Sequence, residues 1–326
     1  MRHSSPTTSN APQLAYTLIS DVTSLARSIE LWTQDTVTDR RIAIDTEFIR
    51  ERTYAPVLEM VQIASPNGHI GLIDVPAIKD LTALWQFLDD PTLTKLVHAG
   101  NQDVEIMALA FGRPLNGPWF DTQVAGAFLG IGLQAGYGAI VQQVLHVKLD
   151  KEEGFSDWSR RPFTDSMLNY AAGDVHYLHS LETWLSERLA KRGRTQWAID
   201  QTNRILGHSA DQTAPEDLWQ RVGGKHHLDG TGLAVLRELT IWRDQEARRR
   251  DKPRRNILKD EPLIEIAKRK PRSASAISDL RAMPPNSGDR VANELYQCVQ
   301  RGLAVPRAEC PKLDSTPALD EQGSAL

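Results

Sequence analysis

The chain has 326 residues, which suits one large and one small domain better than a single compact unit. With 40% apolar and 25% charged residues it is typical of a soluble globular protein, and its net charge of −4 excludes a uniformly basic nucleic-acid binder. No apolar run approaches the roughly 20 residues of a membrane-spanning helix, and residues 1–12 lack the apolar segment of a secretion signal. We therefore expect a cytoplasmic protein with no membrane partner.

The predicted elements begin after a stretch rich in Ser, Thr, Asn and Pro, residues 1–12, which we expect to be disordered. Helical spacing follows at residues 25–33. Apolar or alternating runs then predict three strands joined as hairpins, at residues 41–48, 58–64 and 69–75. Further on, the pattern predicts a helix at 81–88, a strand at 95–99, a helix at 101–111, a strand at 119–120, a helix at 121–129 and a long helical segment at 165–189. This order indicates a mixed sheet flanked by helices.

The second half of the chain is predicted to be helical. We assign residues 13–200 to the first domain, the polar residues 201–214 to a linker, residues 215–301 to a compact helical module and residues 302–326 to a flexible tail. The two cysteines, Cys298 and Cys310, have no second pair beside them, so we expect reduced thiols rather than a disulfide framework or a zinc site. A metal ion would then need oxygen ligands.

Basic residues are concentrated between positions 242 and 272, where twelve Lys and Arg residues meet only six Asp and Glu residues. Such a stretch in an acidic protein can form a phosphate-binding face. It can equally be a solvated helix surface with internal ion pairs. The sequence leaves both interpretations open.

The first acidic motif is Asp45-Thr46-Glu47, at the end of a strand that begins with buried apolar residues. Alternate residues of a strand share a face, so the two carboxylates lie on the same side of the sheet. There they repel each other and need a compensating cation. An exposed strand end is the simpler alternative.

Two further acidic motifs follow the first along the chain. Asp103 opens the helix predicted at 101–111, where it could hold a ligand or simply favour the first helical turn. On the helix predicted at 165–189, Tyr170 and Asp174 are four residues apart and so face the same way. Asp121 is interpreted as a helix N-cap and Asp74 as a structural residue.

Taken in order, these motifs are specific: Asp-x-Glu on a strand, an Asp after a later strand, and Tyr-x₃-Asp on a late helix. The sequence here resembles the ribonuclease D family, within the DEDD 3′–5′ exonucleases, in the branch with Tyr in the third motif. Further resembling segments are residues 48–54, 58–63, 149–151, 156–158 and 161–162. The helical module resembles the HRDC domain of RecQ-like helicases and ribonuclease D, at residues 233–239, 242–244, 247–248, 253–254 and 257–260.

The resemblance implies a ribonuclease H-like exonuclease domain followed by an all-α HRDC domain. It implies removal of nucleoside 5′-monophosphates from the 3′ end of RNA with two divalent ions, Mg²⁺ or Mn²⁺. The implied metal ligands are Asp45, Glu47, Asp103 and Asp174, with Asp45 shared by both ions and Asp103 acting through water. Tyr170 is implied to orient the attacking water. The implied partners are transfer RNA precursors and other small RNAs, bound by a monomer.

Candidate residues for holding the RNA are Phe48, which adjoins the carboxylates, His98, which could reach the substrate, and Lys151, Trp158 and Arg161, whose roles the resemblance implies. Phe48 could stack on the terminal base, although a core position is an equal alternative. For His98 a satisfied structural role is the stronger alternative. The basic stretch of the HRDC module would add an RNA-binding surface that weakens as salt rises.

Two alternative functions remain open at this point. A DNA exonuclease would use the same carboxylates, because the chemistry at phosphorus is identical. An inactive nucleic-acid-binding scaffold is disfavoured because no acidic motif residue is missing. A hydrolase with a nucleophile–base pair is not supported, since neither Gly-x-Ser-x-Gly nor a Cys-His context is present.

Overall fold

The computed structural model describes residues 14–149, 156–207, 214–284 and 288–313 of the chain. These residues form two compact units. The first holds a mixed sheet flanked by helices, and the second is helical, which confirms the predicted fold class. No helix in the described ranges is long and apolar enough to cross a bilayer.

The sheet of the first unit has the strand order β1-β4-β3-β2-β5-β6. Its strands are β1 (Thr17–Ile19), β2 (Arg41–Ile49), β3 (Val57–Ala64), β4 (Ile70–Asp74), β5 (Thr94–Val97) and β6 (Trp119–Asp121). β2, β3 and β4 form the predicted antiparallel meander, whereas β1, β5 and β6 join their neighbours in parallel. β1 was not predicted, because three residues are too few to show a periodicity.

In the described part of the first unit there are eight α-helices. They are α1 (Val22–Asp35), α2 (Thr82–Leu88), α3 (Asn101–Phe111), α4 (Thr122–Phe128), α5 (Tyr137–Leu145), α6 (Asp165–His176), α7 (Leu178–Lys191) and α8 (Thr195–Gly207). One face of the sheet packs with residues of α1, α2 and α3, and the other packs with residues of α6. The sheet is therefore covered on both sides, as expected for a strand pattern rich in Ile, Leu and Val.

Helix α6 positions two of the predicted site residues. The Thr164 side chain accepts a hydrogen bond from the Met167 N–H and so caps the first turn. Buried residues recur every three or four positions, at Met167, Leu168, Ala171, Ala172 and Val175, and this apolar face lies on the sheet. The predicted single helical segment at 165–189 is divided at Tyr177, after which α7 begins.

The linker predicted at residues 201–214 begins inside α8, so this boundary is wrong. Ala198, Thr202 and Leu206 are buried at intervals of four residues, although the exposed positions between them are polar. The polar composition therefore suggested a linker, whereas the buried residues recur at the spacing of a helix that packs against the rest of the unit. Residues 208–213 lie outside the described part of the chain.

The described residues of the second unit form five α-helices around one apolar core. They are α9 (Gly230–Arg250), α10 (Arg254–Ile257), α11 (Asp260–Arg269), α12 (Ala274–Ser278) and α13 (Asp289–Ala304). The unit also includes the segment Arg50–Ala55, which had been assigned to the first domain. There the Tyr54 hydroxyl donates to Asp244 at 2.7 Å.

The flexible tail predicted at residues 302–326 begins too early. Helix α13 continues to Ala304, and Gly302 is buried because its Cα lies against the backbone of Val235, where a Cβ would come within 2.5 Å of the Val235 Cα. Beyond it Cys310 is buried again, and neither Cys298 nor Cys310 is in a disulfide. Residues 314–326, like residues 1–13, lie outside the described ranges.

Internal ion pairs account for most of the basic stretch at residues 242–272. Eight of its twelve cations pair with carboxylates of the second unit: Arg243, Arg248, Arg249, Arg250, Arg254, Arg255, Arg269 and Lys270. Of the two interpretations of this stretch, the structure thus favours the helix surface with internal pairs.

Glu246 is central to this network, and its pairing predicts a pH-dependent stability. Its carboxylate accepts hydrogen bonds from Arg249, Arg250 and Arg290, and the first of these lowers its pKa most strongly, to about 2. A folded pKa below the ordinary value stabilises the fold above about pH 4.5, and this contribution is lost as the pH falls towards 2. We expect Glu246→Gln to lower the free energy of unfolding at pH 7 by roughly 2 kcal/mol.

Urea unfolding of the wild type and of Glu246→Gln at pH 7, 5 and 3 would measure this effect. The difference between them should shrink towards pH 3. The matched control is Glu309→Gln, which alters an exposed carboxylate of the same unit. A difference that stays constant with pH, or an equal loss in the control, contradicts the proposed role of the carboxylate charge.

Candidate active site

The candidate site lies where β2 extends beyond its neighbour β5. The two strands pair in parallel only over Arg41–Ala43, whereas β2 continues to Ile49. After β5 the chain turns at once into α3, so its first turn meets the free part of β2. Parallel α/β sheets bind ligands at the carboxyl edge of their strands, and the acidic motifs meet at this edge.

Three of the four predicted acids form one cluster. Asp45 and Glu47 share the face of β2 on which Ala43 packs under α6, and α6 brings Asp174 to the same place. One carboxylate oxygen from each residue lies within 4.8 Å of those of the other two. All three side chains are only partly buried, so the cluster is open to a ligand.

The charges in this cluster raise the pKa of each carboxyl group. Burial and the charges of Asp103, Asp174 and Glu47 raise the pKa of Asp45 well above its ordinary value. Burial, followed by the charges of Asp174 and Asp103, raises the pKa of Glu47 to about 9. Burial also raises the pKa of Asp174 to about 7 against the opposing hydrogen bond from Tyr170.

Asp103 is placed near this cluster but outside it. It lies in the first turn of α3, is 8% exposed, and accepts a hydrogen bond from the Thr46 hydroxyl at 2.5 Å. Burial raises its pKa to about 6, although the bond from Thr46 opposes that shift. Thr46 thus joins the first motif to the second.

Tyr170 projects from α6 one turn before Asp174, to which its hydroxyl is hydrogen-bonded. Burial and the charges of Asp174, Glu47 and Asp45 raise the pKa of Tyr170 far above its ordinary value. The hydroxyl is therefore protonated at neutral pH and serves as a hydrogen-bond donor. It lies beside the three clustered carboxylates, as the sequence predicted.

Asp121 confirms its predicted role as the N-cap of α4 and has a second role as well. Its buried carboxylate accepts from the N–H groups of Gln123 and Val124 at 2.8 and 3.3 Å, and from those of Ala99 and Gly100 at 3.0 Å each. The last two belong to the turn between β5 and α3. One carboxylate therefore anchors the turn that leads to Asp103.

We expect Asp121→Ala to lower the free energy of unfolding by about 3 kcal/mol, because several buried N–H groups lose their acceptor. A suitable control is Asp21→Ala, which removes the exposed N-cap of α1 and should cost about 1 kcal/mol. Urea denaturation of both variants measures the difference. Equal losses would show that Asp121 is an ordinary cap.

The structure gives four of the five predicted RNA-binding residues contacts within the protein. His98 contacts the Thr122 hydroxyl at 2.9 Å and the Ala135 carbonyl at 3.0 Å, and burial lowers its pKa. The Trp158 ring is 2% exposed and packs against Tyr170, with the ring centres 6.4 Å apart. These contacts favour the structural alternative for His98.

Arg161 lies between two buried carboxylates rather than in open solvent. Its guanidinium contacts Glu59 at 2.9 Å and Asp74 at 2.6 Å, and it donates to the Trp158 carbonyl at 2.5 Å. Phe48 is partly buried against the core on the opposite face of the sheet. Lys151 lies outside the described residues. Contact of any of these side chains with RNA stays a prediction.

Sequence reasoning missed several residues around the site. The contacts of Arg161 with Glu59 and with Asp74 could not be predicted without the fold, because they join residues that are 102 and 87 positions apart in the sequence. Gln62 was noted only within the resembling segment 58–63 and given no role, although it is a polar residue between Val61 and Ile63 in a buried strand.

The donor atoms of the cluster fit a hard divalent cation. All are carboxylate oxygens, the ligands that Mg²⁺ and Mn²⁺ prefer, and burial together with their mutual repulsion raises the pKa of Asp45. The mixed sheet and this acidic cluster define the class of the first unit as a nuclease domain. The family model described as "3'-5' exonuclease" matches residues 16–190, and the model described as "HRDC domain" matches residues 232–299.

Relatives named ribonuclease D extend the match beyond these domains. The protein of Bartonella henselae is 36% identical over 286 residues, covering 87% of this chain and 70% of the relative. The crystal structure of Escherichia coli RNase D, described as an exoribonuclease involved in structured RNA processing, matches with a TM-score of 0.81 at 31% identity, covering 92% of this chain and 78% of that one. Brucella melitensis NrnC, solved with bound Mg²⁺, matches with a TM-score of 0.50 at 28% identity, over 66% of this chain and 97% of that one. The chain belongs to the ribonuclease D family.

Proposed function

We propose that this protein shortens RNA from its 3′ end by hydrolysis with two divalent cations, Mg²⁺ or Mn²⁺. The observation that carries the proposal is the cluster of Asp45, Glu47 and Asp174, whose oxygens converge within 4.8 Å and whose charges repel one another. Membership of the ribonuclease D family supports RNA as the substrate class. The Mg²⁺ bound by the related NrnC supports the choice of cation.

Each acidic residue has a role in this proposal. Asp45, Glu47 and Asp174 would hold one cation, and Asp103 would complete the site of the second together with Asp45. When bound, such cations stabilise the charge that develops on the phosphodiester and lower the pKa of a bound water. Asp103 would act through water, in keeping with its position outside the three clustered carboxylates.

Tyr170 would orient the attacking water. Its hydroxyl is protonated, lies beside the cluster and is held by Asp174, so it can fix the position of a water molecule without removing its proton. The water oxygen forms a bond to the terminal phosphorus while the bond from phosphorus to the 3′ oxygen breaks. The 3′ oxygen takes up a proton, and a nucleoside 5′-monophosphate leaves.

The natural substrates in this proposal are transfer RNA precursors and other small structured RNAs, degraded by a monomeric enzyme. The structured RNA processing of the related Escherichia coli protein supports this choice. The HRDC domain supports a second region of RNA contact, through cations of the basic stretch that remain accessible to solvent.

A time course on three substrates tests the proposed function. They are a transfer RNA with a 3′ extension, the unpaired extension alone, and a DNA of the same sequence as the extension. With Mg²⁺ or Mn²⁺ we expect stepwise shortening of both RNAs with release of mononucleotides, and no shortening when a chelator is present.

Each contrary outcome is informative. Equal rates on DNA would remove the assignment to RNA while leaving the metal site intact. Equal rates on the two RNAs would show that the folded transfer RNA body adds nothing to substrate recognition, which contradicts the choice of structured RNAs as natural substrates. Binding of RNA without any shortening would replace the enzyme with a scaffold.

A further inference from the structure

Gln62 is the most unusual buried side chain near the acidic cluster. It lies in the middle of β3 and is 0% exposed. Among the described residues, neither its Oε1 nor its Nε2 has a hydrogen-bond partner. Buried carboxamides are normally hydrogen-bonded, because leaving such a group unpaired in an apolar environment is costly. A glutamine kept at this cost is therefore expected to have a functional hydrogen-bond partner.

The register of the sheet places Gln62 directly beside the cluster. Gln62 on β3 is opposite Asp45 on β2, and on its other side it is opposite Leu72 on β4. Directly opposite residues of antiparallel strands share a face, with their Cβ atoms about 5 Å apart. A glutamine side chain can span that distance to a carboxylate.

Of the two described residues directly opposite Gln62, only Asp45 is polar, since the other is Leu72. Met60, Ala64 and Leu72 share its face of the sheet, and Ala171 and Ala172 of α6 belong to the same apolar cluster. Met or Leu would fill the same volume without a polar group. Asp45 can use a donor at this position, because it lies directly opposite Gln62 and is the acid common to both proposed cation sites.

We propose that Gln62 is a positioning residue whose Nε2 donates a hydrogen bond to the Asp45 carboxylate when the acidic cluster holds its cations. Metal-ligating carboxylates are commonly held in turn by an outer hydrogen-bond donor, which fixes their orientation. With Gln62 donating from inside the sheet, the Asp45 oxygens are left facing the cluster. This inference rests on the proposed function, because it requires Asp45 to be a metal ligand.

The test compares Gln62→Met with Leu72→Met in the full chain. Both changes place Met on the same buried face, but only the first removes a donor. Mn²⁺ binding is measured by electron paramagnetic resonance titration, and the Tm of the metal-free protein by circular dichroism. For Gln62→Met we expect the Kd for Mn²⁺ to rise about tenfold or more. Its metal-free Tm should stay within about 2 °C of the wild-type value or rise, because an unpaired polar group has been removed.

Kinetics give a further measurement that a purely structural role would not change. For Gln62→Met the Mn²⁺ concentration that gives half-maximal activity should rise by the same factor as the Kd. The kcat at saturating Mn²⁺ should stay within about threefold of wild type, because excess cation restores occupancy of the site. For Leu72→Met neither quantity should change.

The inference fails if Gln62→Met binds Mn²⁺ as tightly as wild type. It also fails if Tm and Mn²⁺ affinity fall together in Gln62→Met and Leu72→Met, since the effect is then one of packing. Asp45→Asn, titrated in parallel, tests the proposed function separately. If Asp45→Asn keeps wild-type Mn²⁺ affinity, the metal site itself is wrong, whatever Gln62 does.

Discussion

Asp45→Asn is expected to lower kcat by about a thousandfold or more, with little change in RNA affinity. The substitution keeps the size of the side chain but removes the charge shared by both proposed cations, which contribute several kcal/mol of transition-state stabilisation. Removing one of four mutually repelling carboxylates also relieves repulsion, since Asp103, Asp174 and Glu47 all raise the pKa of Asp45. The variant should therefore be at least as stable as wild type without metal.

Single-turnover rates on a 3′-extended RNA, with RNA affinity from fluorescence anisotropy, measure this effect. Glu187→Gln is the matched control, because it neutralises an exposed carboxylate on α7. A rate for Asp45→Asn within tenfold of wild type would show that the clustered carboxylates are not the catalytic centre. A collapse of RNA binding would instead assign Asp45 to substrate capture.

Tyr170→Phe is expected to keep metal binding and lose most turnover, by about 100-fold or more. The ring should still pack against Trp158, whereas the donor beside Asp174 is lost. Loss of that hydrogen bond favours the protonated form of Asp174 in the metal-free protein, but a bound cation stabilises the carboxylate and opposes that change. The effect should therefore fall on kcat rather than on the Kd for Mn²⁺.

Tyr177→Phe provides the comparison, since it removes a hydroxyl at the junction of α6 and α7. Rapid-quench kinetics at saturating Mn²⁺, together with Mn²⁺ titration, separate the two effects. Wild-type turnover in Tyr170→Phe would exclude a role in orienting water. A parallel loss of Mn²⁺ affinity would show that Tyr170 supports the cluster instead.

The fold was largely predictable because its central strands and helices carry strong periodic patterns. The strand predicted at 41–48 is β2, and the helix predicted at 101–111 coincides with α3. The errors came from segments where composition and packing disagree. Helix α8 is polar on its exposed side and was taken for a linker, and α13 continues into residues assigned to the tail.

The acidic residues of the site could be predicted from the sequence, but the residues that contact and position them could not. Spacing alone puts Asp45 beside Glu47 and Tyr170 beside Asp174, because strand and helix periods fix which residues share a face. The partners of Arg161 and of Gln62 come from other strands, so they depend on pairing and register. A local pattern does not contain that information.

Strand β1 limits how far this domain can be truncated from its N-terminal end. It pairs with β4 from Thr17 to Ile19, buries Ile19 completely, and is preceded by a bond from the Leu14 N–H to Asn169. A fragment that begins after Ile19 would leave the N–H and C=O groups of β4 without their parallel neighbour. An unpaired strand edge can pair with a strand of another molecule. Such a fragment should therefore self-associate even though all four acidic residues of the site are present.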